Sequence, residues 1–278
     1  MLLLLLILGS AESFYIISTR SDISTLSQFI PQTLTKFPIS TLAIQGYPLR
    51  CTDGKYGTLL TTLVINGTIT DNLYNISHRG IITGFKAYST LIATVVDRHG
   101  HIYGITIIDT RFCIVEIGYP DKIRYTASHR DWFDFLVYHN GFFYLGVNIV
   151  RGWIPHIIVL DHWKVVRNYS ISQQYRVWSM IPCNKTLYVM ATGTCYIELF
   201  AINLVTSKQT TIAIYNNSAS YYDRIDAVTT SVLRNHSIYS VMNNIPTQKQ
   251  YLVVTDLLTS KYTIQDIPFD DKIKCIYS

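Results

Sequence analysis

A basic residue stands ahead of five strand-like runs: Arg79 before Gly80-Ile81-Ile82, Arg130 before Asp131-Trp132-Phe133, Arg176 before Val177-Trp178, Arg224 before Ile225-Asp226 and Lys272 before Ile273-Lys274. A guanidinium is a planar fork of donors matched to two oxygens of a carboxylate, sulfate or phosphate, so these groups would make an anion seat if the fold brought them to one place. Asp131, Asp134, Asp223, Asp226 and Asp271 lie beside them. The competing reading is that ordinary surface or inter-strand ion pairs absorb the charge. Geometry decides between the two, because an anion seat needs the basic groups on one face and not each closed against its own aspartate.

Other chemistry is sparse. Asp97, His99 and His101 surround Gly100, which allows either a metal-binding pair or, the stronger reading, a polar turn between strands. His129, His156, His162 and His236 carry no partner signal, and Trp132, Trp153, Trp163 and Trp178 are expected in packing rather than as a binding platform. Zinc-protease spacing, a nucleophile elbow, a phosphate loop and a calcium loop are missing from the sequence. No catalytic residue, metal ligand or cofactor is therefore assigned. The five cysteines are Cys51, Cys113, Cys183, Cys195 and Cys275. Cys183 and Cys195 bracket a segment that reads as a hairpin and are expected to form a disulfide, which leaves at least one thiol unpaired or joined to another chain. The net charge of +5 is scattered without a basic run, which argues against nucleic acid as a partner.

The elements that must position these residues recur. With 49% hydrophobic and 15% charged residues, and an abundance of Val, Ile, Tyr, Phe and Thr, the chain has the composition of strands around a sizeable core. A strand ending in Asp or Asn, a short turn and a further strand appear as Tyr251 to Asp256 followed by Leu257 to Ile264, and as Leu199 to Asn203 followed by Leu204 to Ile212. Equivalent turns are read at Gln32, Asn66, Asp109 and Asp161. An Asp or Asn opening such a turn hydrogen-bonds the backbone two residues on. Ile92 to Asp109, Tyr144 to Asp161 and Tyr239 to Asp256 each span 17 residues, and successive turn markers are 34, 43, 52, 42 and 53 residues apart. One unit is then four strands, for example Phe133 to Tyr138, Phe142 to Ile149, His156 to Leu160 and Val165 to Ile171.

The pattern strand, Asp-x-x-Thr-x-Lys, strand resembles the outer hairpin of kelch-type and related β-propellers. The resemblance covers residues 14–278 and implies an all-β single propeller of about six four-stranded blades. It also implies closure by pairing of Phe14 to Thr19 with Lys272 to Tyr277. The paired glycines of kelch repeats, the Trp-Asp ending of WD repeats and the Asp box of sialidases are absent, so the resemblance is to the superfamily and to no single family in it. In such a fold the first strand of each blade lines a central channel. Arg79, Arg130, Arg176, Arg224 and Lys272 would then ring one mouth of it.

Residues 1–13 have the outline of a secretory signal peptide: Met1, an apolar run from Leu2 to Leu8, then small residues. Asn66, Asn75, Asn168, Asn184, Asn216 and Asn235 each head an Asn-x-Ser/Thr glycosylation acceptor. The most apolar later stretch, Phe142 to Leu160, is broken by Arg151 and Pro155, so no membrane span is expected after cleavage. The expected role is a secreted, non-enzymatic module that binds a protein or glycan. Two alternatives are a hydrolase of anionic glycans, with Asp131 or Asp226 as acid or base, and a structural glycoprotein of a secreted layer or a viral surface.

Overall fold

The computed structural model describes residues 13–20, 23–42, 47–51, 58–65, 68–76, 82–84, 91–118, 122–127, 132–148, 155–171, 176–192, 196–216, 225–244 and 247–277. The chain lays down β1 (Phe14–Arg20), β2 (Ile23–Ile30), β3 (Thr35–Leu42), β4 (Tyr47–Cys51), β5 (Thr58–Ile65), β6 (Thr68–Ile76) and β7 (Ile82–Gly84). It continues with β8 (Ala93–Val96), β9 (Ile102–Ile108), β10 (Arg111–Ile117), β11 (Lys122–Thr126), β12 (Trp132–His139), β13 (Phe142–Asn148), β14 (His156–Asp161) and β15 (Lys164–Ser170). The last third holds β16 (Arg176–Cys183), β17 (Thr186–Thr192), β18 (Tyr196–Asn203), β19 (Gln209–Asn216), β20 (Ile225–Arg234), β21 (Ser237–Asn244), β22 (Gln250–Asp256), β23 (Tyr262–Asp266) and β24 (Lys272–Tyr277).

Among the described residues these strands form six four-stranded sheets, in the orders β24-β1-β2-β3, β4 to β7, β8 to β11, β12 to β15, β16 to β19 and β20 to β23. All pairings are antiparallel. Where side chains are described, burial falls from the middle of a sheet to its outer edge. Nearly all of β13 and β14 is buried, whereas β15 is exposed apart from Tyr169 and β23 is exposed throughout. A strand buried on both faces must be covered by sheets on both sides, and the core clusters lie in those layers. Val137, Tyr144 and Val159 pack on Val177, Val189 and Phe200 of the next sheet, and Phe14 and Phe29 pack on Tyr239 and Leu252. The molecule is an all-β propeller with four-stranded antiparallel blades.

Closure is as the sequence implied. β24 pairs with β1, with Ile276 opposite Ile16 and Lys272 opposite Thr19, so the two ends of the chain share one blade and neither is left as an open inner edge. The blade count differs from the expected six. The innermost strands β8, β12, β16, β20 and β24 meet in succession, which makes five blades stacked side by side, while β4, outside its own sheet, lies against β24 and β20. An inner strand one spoke further round a regular six-fold ring would lie between β24 and β8.

The turns are local devices. The Asn203 carboxamide oxygen accepts from the Val205 and Thr206 amides, both at 2.9 Å, and the Asp256 carboxylate accepts from Leu258 and Thr259, both at 2.8 Å. Two-residue turns at Asp109-Thr110, Asn140-Gly141, His162-Trp163 and Asn235-His236 have both central residues at positive φ, the geometry whose twist matches a hairpin. Asp161 thus opens its turn in the expected place. Asn66 and Asp109 follow the second strand of their sheets, not the third, so the repeat phase there is one strand out.

Cys183 carries a free thiol, which corrects the expected disulfide to Cys195. Cys183 ends β16 opposite Thr186, and Cys195 lies outside the described residues. Cys113 is free and buried.

Candidate binding mouth

Because each blade has four antiparallel strands, successive inner strands run in the same direction, and β12, β16, β20 and β24 all begin on one face. Arg176 opens β16 opposite Thr192, and Lys272 opens β24 opposite Thr19. Arg224 directly precedes β20, and Arg130 lies two residues ahead of β12. Arg79 precedes β7, the outer strand of its sheet, so its expected place before an inner strand is corrected. The short strand β4 went unread, and every later element of that unit was shifted by one. Arg79, Arg130 and Arg224 lie outside the described residues, and Arg176 is described by its backbone only.

Just inside the mouth the ladder slips by one residue in five inner strands, passing over Leu49, Asp134, Trp178, Asp226 and Lys274. A bulge inserts an unpaired residue, bends its strand and re-aims a side chain. At two seams a buried carboxamide from one blade then fixes the neighbouring start. Asn148, at the end of β13, accepts from Val177 N at 2.9 Å and donates to Val177 O at 3.3 Å and to Asp134 at 2.5 Å. Gln250, at the start of β22, accepts from Ile273 N at 2.6 Å and donates to Ile273 O at 3.1 Å and to Asn243 at 2.5 Å. Val177 and Ile273 each follow a basic residue of the mouth, so the clasp sets where Arg176 and Lys272 leave the backbone. The sequence reading missed both carboxamides, whose only signal is a lone amide bordering an apolar run.

At the second seam a pocket of about 210 Å³ is lined by Asn243, Asn244, Gln248, Lys249, Gln250, Lys272, Ile273 and Lys274. Lys272 donates to the Gln248 side-chain oxygen. Lys249 reaches Asp266 at 3.8 Å, with both side chains mostly in solvent. Asp271, although adjacent to Lys272 in sequence, pairs with Lys36 and accepts from Ser18 at 3.2 Å. Burial pushes its carboxyl up, but the Lys36 ammonium and the Ser18 hydroxyl outweigh this and hold it below the usual range. Lys272 is thus not closed against its own aspartate, and three lysines, Lys249, Lys272 and Lys274, are among the residues lining the pocket. Asp226 is described by its backbone, and Asp131 and Asp223 lie outside the described residues.

The other candidates resolve as packing or turns. Asp97 accepts from the His99 and His101 amides at 2.8 and 2.9 Å and lies 3.2 Å from the His101 ring, with Gly100 at φ 85. This is the polar turn; burial raises the Asp97 pKa, but these bonds lower it further, below the ordinary value. Its charge and burial together push Tyr103 up to about 12. Among the described residues no three His, Cys, Asp or Glu side chains form a metal site. Trp163 stacks on Phe143 at 4.4 Å, and Trp178 packs in the core. Trp132 departs from expectation: it is 44% exposed at the start of β12, with its indole N–H donated to Asp134 at 2.8 Å. Asn168, Asn184 and Asn235 are exposed on an outer strand and two turns. Asn75 and Asn216 are described by backbone alone, and Asn66, like residues 1–12, lies outside the described residues. Among the described residues no helix is long and apolar enough to cross a membrane.

No protein-family model matches the chain, and no curated protein matches it in sequence. Solved structures do match in fold. A chain of a nidogen/laminin complex superposes with a TM-score of 0.56 at 12% identity, covering 91% of this chain and 92% of that one. TolB from Acinetobacter baumannii gives 0.58 at 10% identity over 91% of this chain and 63% of its own. The periplasmic gluconolactonase PpgL of Pseudomonas aeruginosa gives 0.54 at 8% identity over 95% and 99%. At these identities the likeness establishes the propeller fold.

Proposed function

We propose that this chain is a non-enzymatic binding propeller whose ligand seat is the mouth where β12, β16, β20 and β24 begin, and that it takes an anionic partner. The observation that carries the reading is the shared polarity of those strands, each headed in sequence by Arg130, Arg176, Arg224 or Lys272. Lys249 and Lys274 join Lys272 around one pocket. Like charges gathered at a concave mouth raise the local potential and favour an anion. The leader-like residues 1–13 and the three exposed acceptors support a secreted glycoprotein. The similar chain in a nidogen/laminin complex accords with a role in assembly with other macromolecules.

The test is binding of the full-length protein to a polyanion, poly-glutamate, across a salt series, with Arg176→Gln/Lys272→Gln as the variant. The wild type should bind with an affinity that falls as salt rises, and the double variant should bind at least tenfold more weakly with a flatter salt dependence. Equal binding by both proteins would remove the mouth from consideration.

A further inference from the structure

The exposed indole at the same mouth narrows the chemistry of the ligand. Trp132 opens β12, and its ring is held on two sides. The indole N–H is donated to Asp134, and the Phe112 ring lies 5.3 Å away at 43°. Among the described tryptophans Trp163 and Trp178 are half-buried in packing, whereas this one leaves 44% of its surface in solvent. A single exposed Trp needs no explanation by itself. What distinguishes Trp132 is that its anchor is the network that sets the next basic residue. Asp134 accepts from Trp132 and from Asn148, and Asn148 clasps both backbone groups of Val177, the residue after Arg176. Indole orientation and the exit point of Arg176 are thereby fixed to each other through two buried side chains.

We infer that Trp132 is a sugar-stacking platform and that the partner of the mouth is an acidic oligosaccharide, an inference that rests on the anion-binding reading above. One face of a pyranose ring presents C–H groups of partial positive charge, which suit the negative face of an indole. Packed sheets lie about 10 Å apart, so a sugar stacked on β12 would place an acidic group one or two rings along the chain near the start of β16. A carboxylate and a sulfate ester present the same paired oxygens to a guanidinium. An aromatic plane beside fixed basic groups therefore selects for sugar and charge together, where basic groups alone would accept any polyanion.

The experiment uses the full-length protein and four probes: a uronate oligosaccharide, a sulfated neutral oligosaccharide, the unsulfated form of the latter, and poly-glutamate. One or both acidic sugars should bind at least tenfold more tightly than poly-glutamate of equal charge, and the two arms identify the carboxylate or the sulfate as the group read. Binding should blue-shift indole emission and protect one tryptophan from acrylamide quenching. Trp132→Phe should lose that spectral change while keeping part of the affinity, and Trp132→Ala should lose about tenfold for the sugar, a larger loss than it shows for poly-glutamate. If Trp132→Ala fails to fold, the wild-type quenching and the Phe variant still decide. Acidic sugar binding no better than poly-glutamate, with quenching unchanged, would overturn the sugar platform while leaving the anion seat standing. If no anionic probe binds, both readings fall together.

Discussion

The mouth of the propeller and its outer hairpins hold strand ends in place by opposite means. At the outer turns the turn-opening side chains bond locally: Asn203 and Asp256 accept from amides two and three residues on, two-residue turns have both central residues at positive φ, and the longer ties of the long turns, Leu204 N to Lys185 O and Leu257 N to His236 O, stay within the blade. At the mouth the start of an inner strand is held by a carboxamide from the preceding blade, Asn148 on Val177 across 29 residues and Gln250 on Ile273 across 23. A local turn costs little ordering entropy and can be lost alone. A clasp between blades forms only when both are in place, so its loss is felt by the whole ring. The mouth rests on the second kind of contact.

The largest effect should come from breaking a clasp. Asn148→Leu removes the two bonds to Val177 and takes a donor from the buried Asp134 carboxylate. Leaving buried polar groups unsatisfied costs about 1 to 3 kcal/mol each, so the variant should lose about 3 kcal/mol in urea unfolding. Gln250→Leu frees the Ile273 backbone groups and Asn243 but strands no carboxylate. It should lose about 2 kcal/mol on the same basis. A loss below about 0.5 kcal/mol in both would mean that water replaces the clasps freely and that the contrast between mouth and turns is not energetic.

The same contrast explains what was legible in the sequence. The turn at Asp256 and its copy at Asn203 were read correctly, because Asp-x-x-Thr-x-Lys specifies its own bonds within six residues. The closure of β24 on β1 was legible because each end lacked a partner. Local rules also misled. A strand-turn-strand pattern reads alike wherever it falls in a sheet, so Asn66 and Asp109 were set one strand out of phase and Arg79 was carried to the wrong strand with them. The Cys183 to Cys195 pairing failed for the same reason, since seven strand residues between two turns look like a hairpin until the partners are known. Asn148 and Gln250 leave only a lone amide beside an apolar run, and the exposed face of Trp132 leaves no sequence signal, because what makes each of them matter lies in another blade.

A milder cut compares the two copies of the long turn. Asn203→Ala should cost about 1 kcal/mol, the usual net worth of the side chain–backbone bonds it removes. Its counterpart can be titrated instead of mutated. Hydrogen bonds from the Thr259 and Leu258 amides hold the Asp256 carboxyl below its ordinary value of 3.8. A carboxyl depressed on folding contributes stability that is present above its unfolded pKa and is lost as pH falls through the folded one. On acidification below pH 4 the Leu258 and Thr259 amide resonances should therefore shift with one apparent pKa under 3.8, while those of Val205 and Thr206 stay flat. Parallel shifts at both turns would show that the turns respond to the ring as a whole.

The smallest effect, and the only stabilising one, should come from Thr110→Gly. Thr110 is exposed and sits at φ 66 in the two-residue turn after Asp109, whereas Gly141 occupies the same second position after Asn140 at φ 89. A left-handed conformation costs an L-residue about 1 to 2 kcal/mol, and a β-branched side chain belongs at the upper end. Glycine relieves that strain but gives back about 0.5 to 1 kcal/mol through the freedom it adds to the unfolded chain. The two terms leave Thr110→Gly more stable by about 0.5 kcal/mol, with Gly141→Thr less stable by a similar amount or more. Both are measurable as shifts of the urea midpoint at constant slope. Opposite signs at the two turns would place their energy in backbone conformation, as a self-contained turn requires. A destabilised Thr110→Gly would mean that the threonine side chain holds its turn through contacts beyond it, and the division between local turns and non-local clasps would then end at the third sheet.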